Sequence, residues 1–480
     1  MNKKKLENLH KLIKLSTSNF DYFFDSGLKN FKLNEYEKAI ADLNEALKLN
    51  PDHAASLYQI GLSKIFLNEF KNAIKDFDKA INLSNENCDY FFNRGNCYFY
   101  LENYKDAIID FDKAINLNNQ NFDYFYFRGL SHYAINNYEA ADKDFTDSRT
   151  LNKNPDGEFF KNRGICKREL GDYKLALQFH DQSILKDSKE SSNYLERGLT
   201  RLEQGKYMLA LHDFEKAISL NSNSDFNYFS RGVSQYNLEK HEAAIKDFDK
   251  AIKINSKNPE YFLRRGLAKQ ALSKITEALK DYEINLQLNP KSDYAYYLRS
   301  EINFEKDKTT EAFNDINMAI KYNSNNKSYF TLRGLIKQEI GETGEAIKDF
   351  EESIKLDSDD PITYYQLSTL QNESKNFQLG FEVIEKAIEL DDKEPLFFYN
   401  RGWSRTGLEN YEEGIKDLNK AIKMNSKFAE AYHNRSFCKL KMNNLVEALK
   451  DSNQAIRLGI ESVDYQSHFL NQRGEILLNL

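Results

Sequence analysis

Along this chain the hydrophobic positions fall into short clusters that recur with one period, and polar runs separate them. Aligned on one small residue, the clusters centre on Gly27, Gly61, Gly95, Gly129, Gly164, Gly198, Gly232, Gly266, Ser300, Gly334, Ser368, Gly402, Ser436 and Gly474. Successive anchors lie 34 residues apart, except for one interval of 35 and one of 38. An aromatic residue stands four before many of them, as at Phe91, Phe125, Phe160, Phe262, Phe330 and Phe398. Residues i and i+4 share a helical face, so ring and glycine are expected together as a knob beside a hole. Twelve residues after each of the first thirteen anchors comes a small residue, alanine everywhere but Gly380 and Gly414. Four further on stands a large apolar residue such as Phe77, Phe111 or Phe214, and three beyond that another small one such as Ala80, Ala114 or Ala217. That spacing makes a second helical face to which a neighbour can approach closely. Turns such as Glu102-Asn103 and Gly171-Asp172 part the two stretches, and breaks such as Asn50-Pro51 and Asn289-Pro290 follow the second. Each period therefore predicts an antiparallel helix pair. One pair cannot bury its apolar face alone, so stacked neighbours must supply the core.

Two stretches depart from the pattern. The fifth repeat carries His180 where the others have a large apolar residue, Phe179 where they have aspartate, and Ser183 for alanine. The ninth to eleventh carry Ser300, Thr309, Thr343, Ser368 and Gly380. Weaker interfaces are expected at both. The ends differ as well. Leu6, Leu9, Leu12, Ile13 and Leu15 form one stripe with lysines elsewhere, which predicts an amino-terminal capping helix over residues 1–19. Gly474 opens a helix ending EILLNL, over residues 458–480, whose Ile476, Leu477 and Leu480 either pack back on the thirteenth repeat or form a docking edge.

Composition agrees with a helical reading, since 480 residues hold only 20 glycines and 6 prolines. A net charge of −7 gives no electrostatic reason to expect nucleic acid or an anionic membrane as partner. Cys88, Cys97, Cys166 and Cys438 are too few and too scattered for a disulfide framework, which fits a reducing, cytoplasmic setting. No run of about 18 uncharged apolar residues is present to span a membrane. Charges interrupt the first sixteen residues before any signal-peptide core forms.

Candidate chemistry is sparse. The eight histidines fall at different repeat positions, and neither an HExxH nor a Cys-x-x-Cys spacing occurs, so no metal, cofactor or catalytic group is expected. One charged pattern recurs: arginine just before the anchor, as at Arg94, Arg128, Arg231 and Arg401, and aspartate on the second helix, as at Asp110, Asp144, Asp247 and Asp417. Guanidinium and carboxylate mate as a fork, so the pairing is expected to hold hairpins together. The eleventh repeat loses both partners at once, with Leu367 and Val383 in their places.

The spacing of aromatic, glycine, alanine, aromatic, alanine and proline resembles the tetratricopeptide repeat family over residues 20–480. The resemblance implies an all-α, right-handed solenoid of about 13 antiparallel helix pairs over residues 20–457, with capping helices at both ends. It also implies that first helices line a concave groove, faced by the residue three before each anchor. Here that position carries Phe24, Tyr58, Phe92, Tyr126, Lys161, Phe229, Tyr297, Tyr365 and Tyr399 among others, and Arg168 joins Lys161 in interrupting the aromatic wall. Such a wall favours an extended peptide or an amphipathic helix. The carboxylate clamp of the family's chaperone adaptors is not completed in any three successive repeats. The expectation is a non-enzymatic protein-interaction scaffold that binds a partner in this groove. The alternatives are self-assembly through the carboxyl-terminal helix, giving a homo-oligomer, and a small-molecule or peptide sensor.

Overall fold

The computed structural model describes residues 19–459 and 463–479. The expected cap over 1–19 lies outside the described residues, apart from residue 19, which opens the first helix. Among the described residues there are helices and no strand. Repeat 1 pairs α1 (19–32) with α2 (Tyr36–Leu49), repeat 2 α3 (Ala54–Phe66) with α4 (Phe70–Leu83), and repeat 3 α5 (Cys88–Tyr100) with α6 (Tyr104–Leu117). Repeat 4 is α7 (Phe122–Ala134) and α8 (Tyr138–Leu151), repeat 5 α9 (Gly157–Glu169) and α10 (Tyr173–Lys186), and repeat 6 α11 (Ser191–Glu203) and α12 (Tyr207–Leu220). Repeat 7, α13 (Asp225–Asn237) and α14 (His241–Ile254), completes a first compact unit, Met1–Ile254. The second unit, Asn255–Leu480, begins with repeat 8, α15 (Pro259–Ala271) and α16 (Ile275–Leu288). Repeat 9 is α17 (Asp293–Glu305) and α18 (Thr309–Tyr322), repeat 10 α19 (Lys327–Glu339) and α20 (Thr343–Leu356), and repeat 11 α21 (Pro361–Glu373) and α22 (Phe377–Leu390). Repeat 12, α23 (Pro395–Gly407) and α24 (Tyr411–Met424), and repeat 13, α25 (Ala429–Lys441) and α26 (Leu445–Leu458), precede a last helix, α27 (Val463–Asn479).

Local chemistry sets the boundaries. Side chains such as Asn87, Asn121 and Asn258 accept a hydrogen bond from the backbone N–H two residues on, capping first helices. Each pair turns through one residue in the left-handed region, seven after the anchor. It is glycine at Gly171, Gly205 and Gly341, with φ from 70° to 81°, and a residue such as Asn68, Glu102 or Ser273 elsewhere, with φ of 57–59° at those three.

The hole at the anchor glycine is filled differently from the expectation. A Cβ on Gly61, Gly95 or Gly232 would lie 2.6, 2.8 or 2.7 Å from a ring carbon of Phe77, Phe111 or Phe248, sixteen residues on and on the second helix of the same pair. The ring four before the anchor instead lies under the arginine that precedes it. The Arg94 guanidinium is 5.8 Å from the Phe91 centroid and that of Arg401 is 5.6 Å from Phe398. Intrahelical spacing places ring and glycine on one face, but the closest knob comes from across the pair.

This geometry accounts for the serine anchors. Ser300, Ser368 and Ser436 each donate a hydrogen bond to the carbonyl of the small residue twelve on, Ala312, Gly380 and Ala448, at 2.8, 2.7 and 2.8 Å. Opposite them stand Ile316, Ile384 and Ser452, so a side chain at the anchor coincides with the loss of the ring. Gly95→Ser is expected to destabilise repeat 3 by about 1–3 kcal/mol through overpacking against Phe111. Adding Phe111→Ile should recover most of that loss in urea melts. Equal loss in the double variant would contradict the knob-and-hole pairing.

The arginines are structural clamps. Arg94 makes a fork on Asp110 at 2.8 and 2.6 Å and reaches Asp78 of the preceding repeat at 2.7 Å. Arg128 does the same with Asp144 and Asp112. A second cation three after the anchor joins several of these carboxylates, as Arg201 does on Asp213 and Lys439 on Asp451. In repeat 11, Leu367 and Val383 replace the charged pair and pack in one apolar cluster with Phe350 and Leu370.

The departures are packed as well. The space left by Gly380 receives Asn372, which donates to Asn400 at 2.6 Å and accepts from Ser404 at 2.9 Å in a buried polar network. In repeat 5, Phe179 lies 4.5 Å from the Arg163 guanidinium, and the Ser183 hydroxyl lies between two acceptors, the Gly157 carbonyl at 2.8 Å and Asn193 Oδ1 at 2.7 Å. His180 fills the Gly164 hole, fully buried, with no hydrogen-bond partner for either ring nitrogen.

Candidate functional site

Within each unit neighbouring first helices touch, as α3 touches α5, α5 touches α7, and α21 touches α23, so they form one layer. The residue three before each anchor sits in the seam between successive first helices. In the first unit Phe24 lies 4.9 Å from the His53 ring, Tyr58 4.9 Å from Tyr90, Phe92 4.7 Å from Tyr124, and Tyr126 5.6 Å from Phe159. Each of the last three also approaches the ring in its own glycine hole, at 5.8 to 5.9 Å. The next repeat's asparagine donates to the phenol oxygen in two cases, Asn93 to Tyr58 at 3.1 Å and Asn162 to Tyr126 at 3.0 Å. All four rings are half-buried.

Repeat 5 interrupts the row. Lys161 is half-buried and its Nζ reaches Ser192 Oγ at 3.3 Å, beside a polar cavity of about 530 Å³ lined by Asp156, Glu158, Lys186, Glu190 and Asn193 among others. Arg168 is engaged internally. Its guanidinium pairs with Glu196 at 2.8 Å, Glu169 at 3.2 Å and Glu203 at 3.3 Å, with the side chain only 9% exposed. Phe229, half-buried, resumes the row in repeat 7 at 5.9 Å from Phe248.

In the second unit Tyr297 stacks on Tyr329 at 5.1 Å, and its hydroxyl donates to Glu301 at 3.1 Å. Tyr365 lies 5.8 Å from Phe397 and Tyr399 4.8 Å from Phe428. All three are half-buried. Burial, aided by nearby carboxylates, holds the phenols of Tyr58, Tyr126 and Tyr297 above their ordinary range, so they remain neutral donors across physiological pH.

Periodicity alone does not single out the acids that lie one helical turn before these residues. Asp21, Asp89, Asp123 and Glu158 each stand three residues before Phe24, Phe92, Tyr126 and Lys161, on the same helical face. Asp21, Asp89 and Glu158 are exposed. An acid three before the residue of the seam was the legible signal, before a ring at Phe24, Phe92 and Tyr126 and before Lys161. In the first unit the layer therefore presents ring edges flanked by carboxylates.

The described residues contain no cluster of three His, Cys, Asp or Glu side chains able to hold a metal ion, and no helix long and apolar enough to cross a membrane. Burial pushes the Cys97 and Cys166 thiols up to about 12, which leaves them protonated at neutral pH.

Models of the tetratricopeptide repeat match residues 88–121 and 228–258, and a second such model matches 54–87, 328–360 and 397–428. A further model, described as a TPR repeat, matches 27–64. With the 34-residue period and the helix pairs, these place the chain in the tetratricopeptide repeat family, and an array of this kind is a scaffold for protein–protein interaction. Among solved structures, the chain is similar to the APC/C hetero-tetramer Cut9–Hcn1, at 13% identity over 97% of this chain and 98% of that one, with a TM-score of 0.44. It is similar to yeast Tom70 at 16% identity over 88% and 96%, with a TM-score of 0.36. YrrB, described as a TPR protein with an unusual peptide-binding site, is 22% identical over 41% and 97%, with a TM-score of 0.34. No curated protein matches the chain in sequence.

Proposed function

We propose that this chain is a non-enzymatic, cytoplasmic scaffold whose first-helix layer captures a segment of a partner protein that is basic on one side and apolar on the other. The observation that carries this reading is the pairing, in the first unit, of half-buried Phe24 and Phe92 with exposed Asp21 and Asp89 one turn away, continued by exposed Glu158 beside Tyr126. Phe24, Tyr58, Phe92 and Tyr126 offer apolar surface fixed by the seam, so binding loses little side-chain freedom. Asp21, Asp89 and Glu158 offer negative charge beside that surface, which suits lysine or arginine stems and cation–π contacts. The internal pairing of Arg168 with three glutamates favours carboxylates over Arg168 as the polar contacts with the partner. Tyr297, Tyr365 and Tyr399 form a separate row in the second unit.

Asp21→Lys with Glu158→Lys is expected to weaken capture of basic peptides by about tenfold or more, an effect read by fluorescence anisotropy. Both side chains are exposed, so helicity by circular dichroism should stay unchanged.

A further inference from the structure

Two departures from the repeat fall side by side in the second unit. Three before the anchor stands a ring or another bulky side chain in every repeat but the tenth, which has Thr331, the smallest of the thirteen. The residue just after the anchor is apolar in ten of the thirteen repeats, and two others carry Asn96 and Thr369. Only in repeat 9 is it charged, as Glu301. Tyr297 and Glu301 lie one turn apart on α17, and Thr331 and Leu335 hold the same two places on α19.

These substitutions meet in one pocket of about 220 Å³, with Tyr297 and Glu301 on one side and Thr331, Leu332 and Leu335 on the other. Its lining is complete within repeats 9 to 11, which further repeats flank on both sides. The volume is below the roughly 300–1,000 Å³ of small-molecule sites, which suits a single long side chain. Tyr297 sets its ring against Tyr329 of the next first helix, whereas Thr331 brings only a hydroxyl, 2.8 Å from that of Ser353, and leaves the place of a ring open. The floor is apolar, since Leu332 is buried against Tyr296 and Tyr297 and Leu335 packs with Phe350 and Leu367. Glu301 accepts a hydrogen bond from the Tyr297 hydroxyl at 3.1 Å and has no cationic partner among the described residues. The cation of the lining, Lys327, is paired with Asp357 and lies 4.0 Å from Asp360, so its charge is already matched.

We infer that this pocket takes the side chain of an arginine from a segment of a partner protein. The apolar stem lies along Leu332 and Leu335, and the guanidinium stacks on the Tyr297 ring and bonds to the Glu301 carboxylate. A guanidinium is planar, weakly hydrated and matched in its donors to a carboxylate, whereas an ammonium is a strongly hydrated point charge, so lysine fits less well. Phenylalanine or leucine would fill the volume but would take water from Glu301 without giving it a partner. Residues 1–18 hold five lysines and no arginine, so they do not supply the group. This site is separate from the first-helix layer of the first unit and does not rest on the reading given to that layer.

The probe is arginine blocked at both ends, as the N-acetyl, N-methylamide derivative, titrated into the full chain with isotope-labelled leucine methyl groups and followed by NMR at Leu332 and Leu335. Saturable shifts are expected at both residues. Glu301→Gln, which keeps an acceptor for the Tyr297 hydroxyl and removes the charge, should weaken binding about tenfold or more. Thr331→Tyr, which restores the ring carried by repeats 9, 11 and 12, should do the same by filling the pocket. The blocked lysine analogue should bind about tenfold more weakly than arginine, and the blocked phenylalanine analogue should leave the two leucines unshifted. Circular dichroism on each variant guards against misfolding. Asp21→Lys with Glu158→Lys should leave the shifts unchanged, which tells failure here from failure of the first-unit reading. No saturable shift on the wild-type chain, equal binding of the lysine or phenylalanine analogue, or indifference to Glu301→Gln overturns the inference. Unblocked arginine binding about tenfold tighter than the blocked form assigns the pocket to the free amino acid and overturns it equally.

Discussion

Arg231→Leu is expected to lower the local stability of repeat 7 by about 3–5 kcal/mol, because it leaves the Asp247 carboxylate buried without its fork. Arg231 Nε and Nη2 donate to the two oxygens of Asp247, each at 2.7 Å, and Asp247 is 4% exposed. These hydrogen bonds raise the guanidinium above its ordinary range. Repeat 7 is the clean place to test the clamp, since Gln235 stands where other repeats carry a second cation. Arg231→Leu with Asp247→Val copies the Leu367 and Val383 pair of repeat 11, and it is expected to return to within about 1–2 kcal/mol of wild type. An array of repeats need not unfold in one step, so the readout is amide hydrogen exchange over residues 225–254 rather than a single melting temperature. A double variant as unstable as the single would contradict the shared partnership.

The second large effect is a pH dependence centred on His180. Burial first, with Arg168 and Arg197 adding to it, lowers the imidazole to about 3 from an unfolded value of 6.5. Above pH 6.5 the ring is neutral in both states and contributes no pH dependence. As pH falls from 6.5 towards 3, the unfolded chain takes up a proton that the folded chain excludes. Stability then falls by up to about 1.4 kcal/mol per pH unit, or roughly 4–5 kcal/mol over the window. Below about 3 the folded ring also protonates and the loss levels off. His180→Phe restores the ring found in the neighbouring repeats and removes two buried nitrogens without partners. It is expected to stabilise repeat 5 by about 1–3 kcal/mol at pH 7. The difference between variant and wild type should grow as pH falls from 6.5 to 4, which separates this histidine from the carboxylates that both chains share. A constant difference across that range would show that His180 does not titrate as described.

The helix pairs were legible because glycine, alanine and ring recur at spacings that only stacked helices satisfy. The partner of each glycine was not, since periodicity reports which residues share a face and leaves open which neighbour enters it. The chain did carry the missing signal: wherever the anchor is serine, the residue sixteen on is isoleucine or serine rather than a ring. The left-handed turn at Glu102 or Ser273 was equally hidden, because those residue types do not advertise positive φ as Gly171 does. At the candidate site, the row from Phe24 to Tyr126 could be placed on one layer from sequence, but its degree of burial depends on the next repeat's Tyr90, Tyr124 and Phe159. Arg168 read as a break in the wall, and its three glutamates come from α9 and α11, whose juxtaposition only the fold reveals. The acids at Asp21, Asp89, Asp123 and Glu158 were visible all along and gained meaning once the rings beside them proved half-exposed.

Rings and carboxylates of the first unit are proposed to select a basic, apolar segment together. The most direct measurement is a selection from a random peptide library on the full chain, with wild type and the Asp21→Lys, Glu158→Lys variant run side by side. Wild type is expected to enrich peptides alternating lysine or arginine with large apolar residues, and the variant to lose that enrichment while keeping its helicity. Enrichment of acidic peptides by the wild-type chain, or the same basic peptides from both chains, would contradict it.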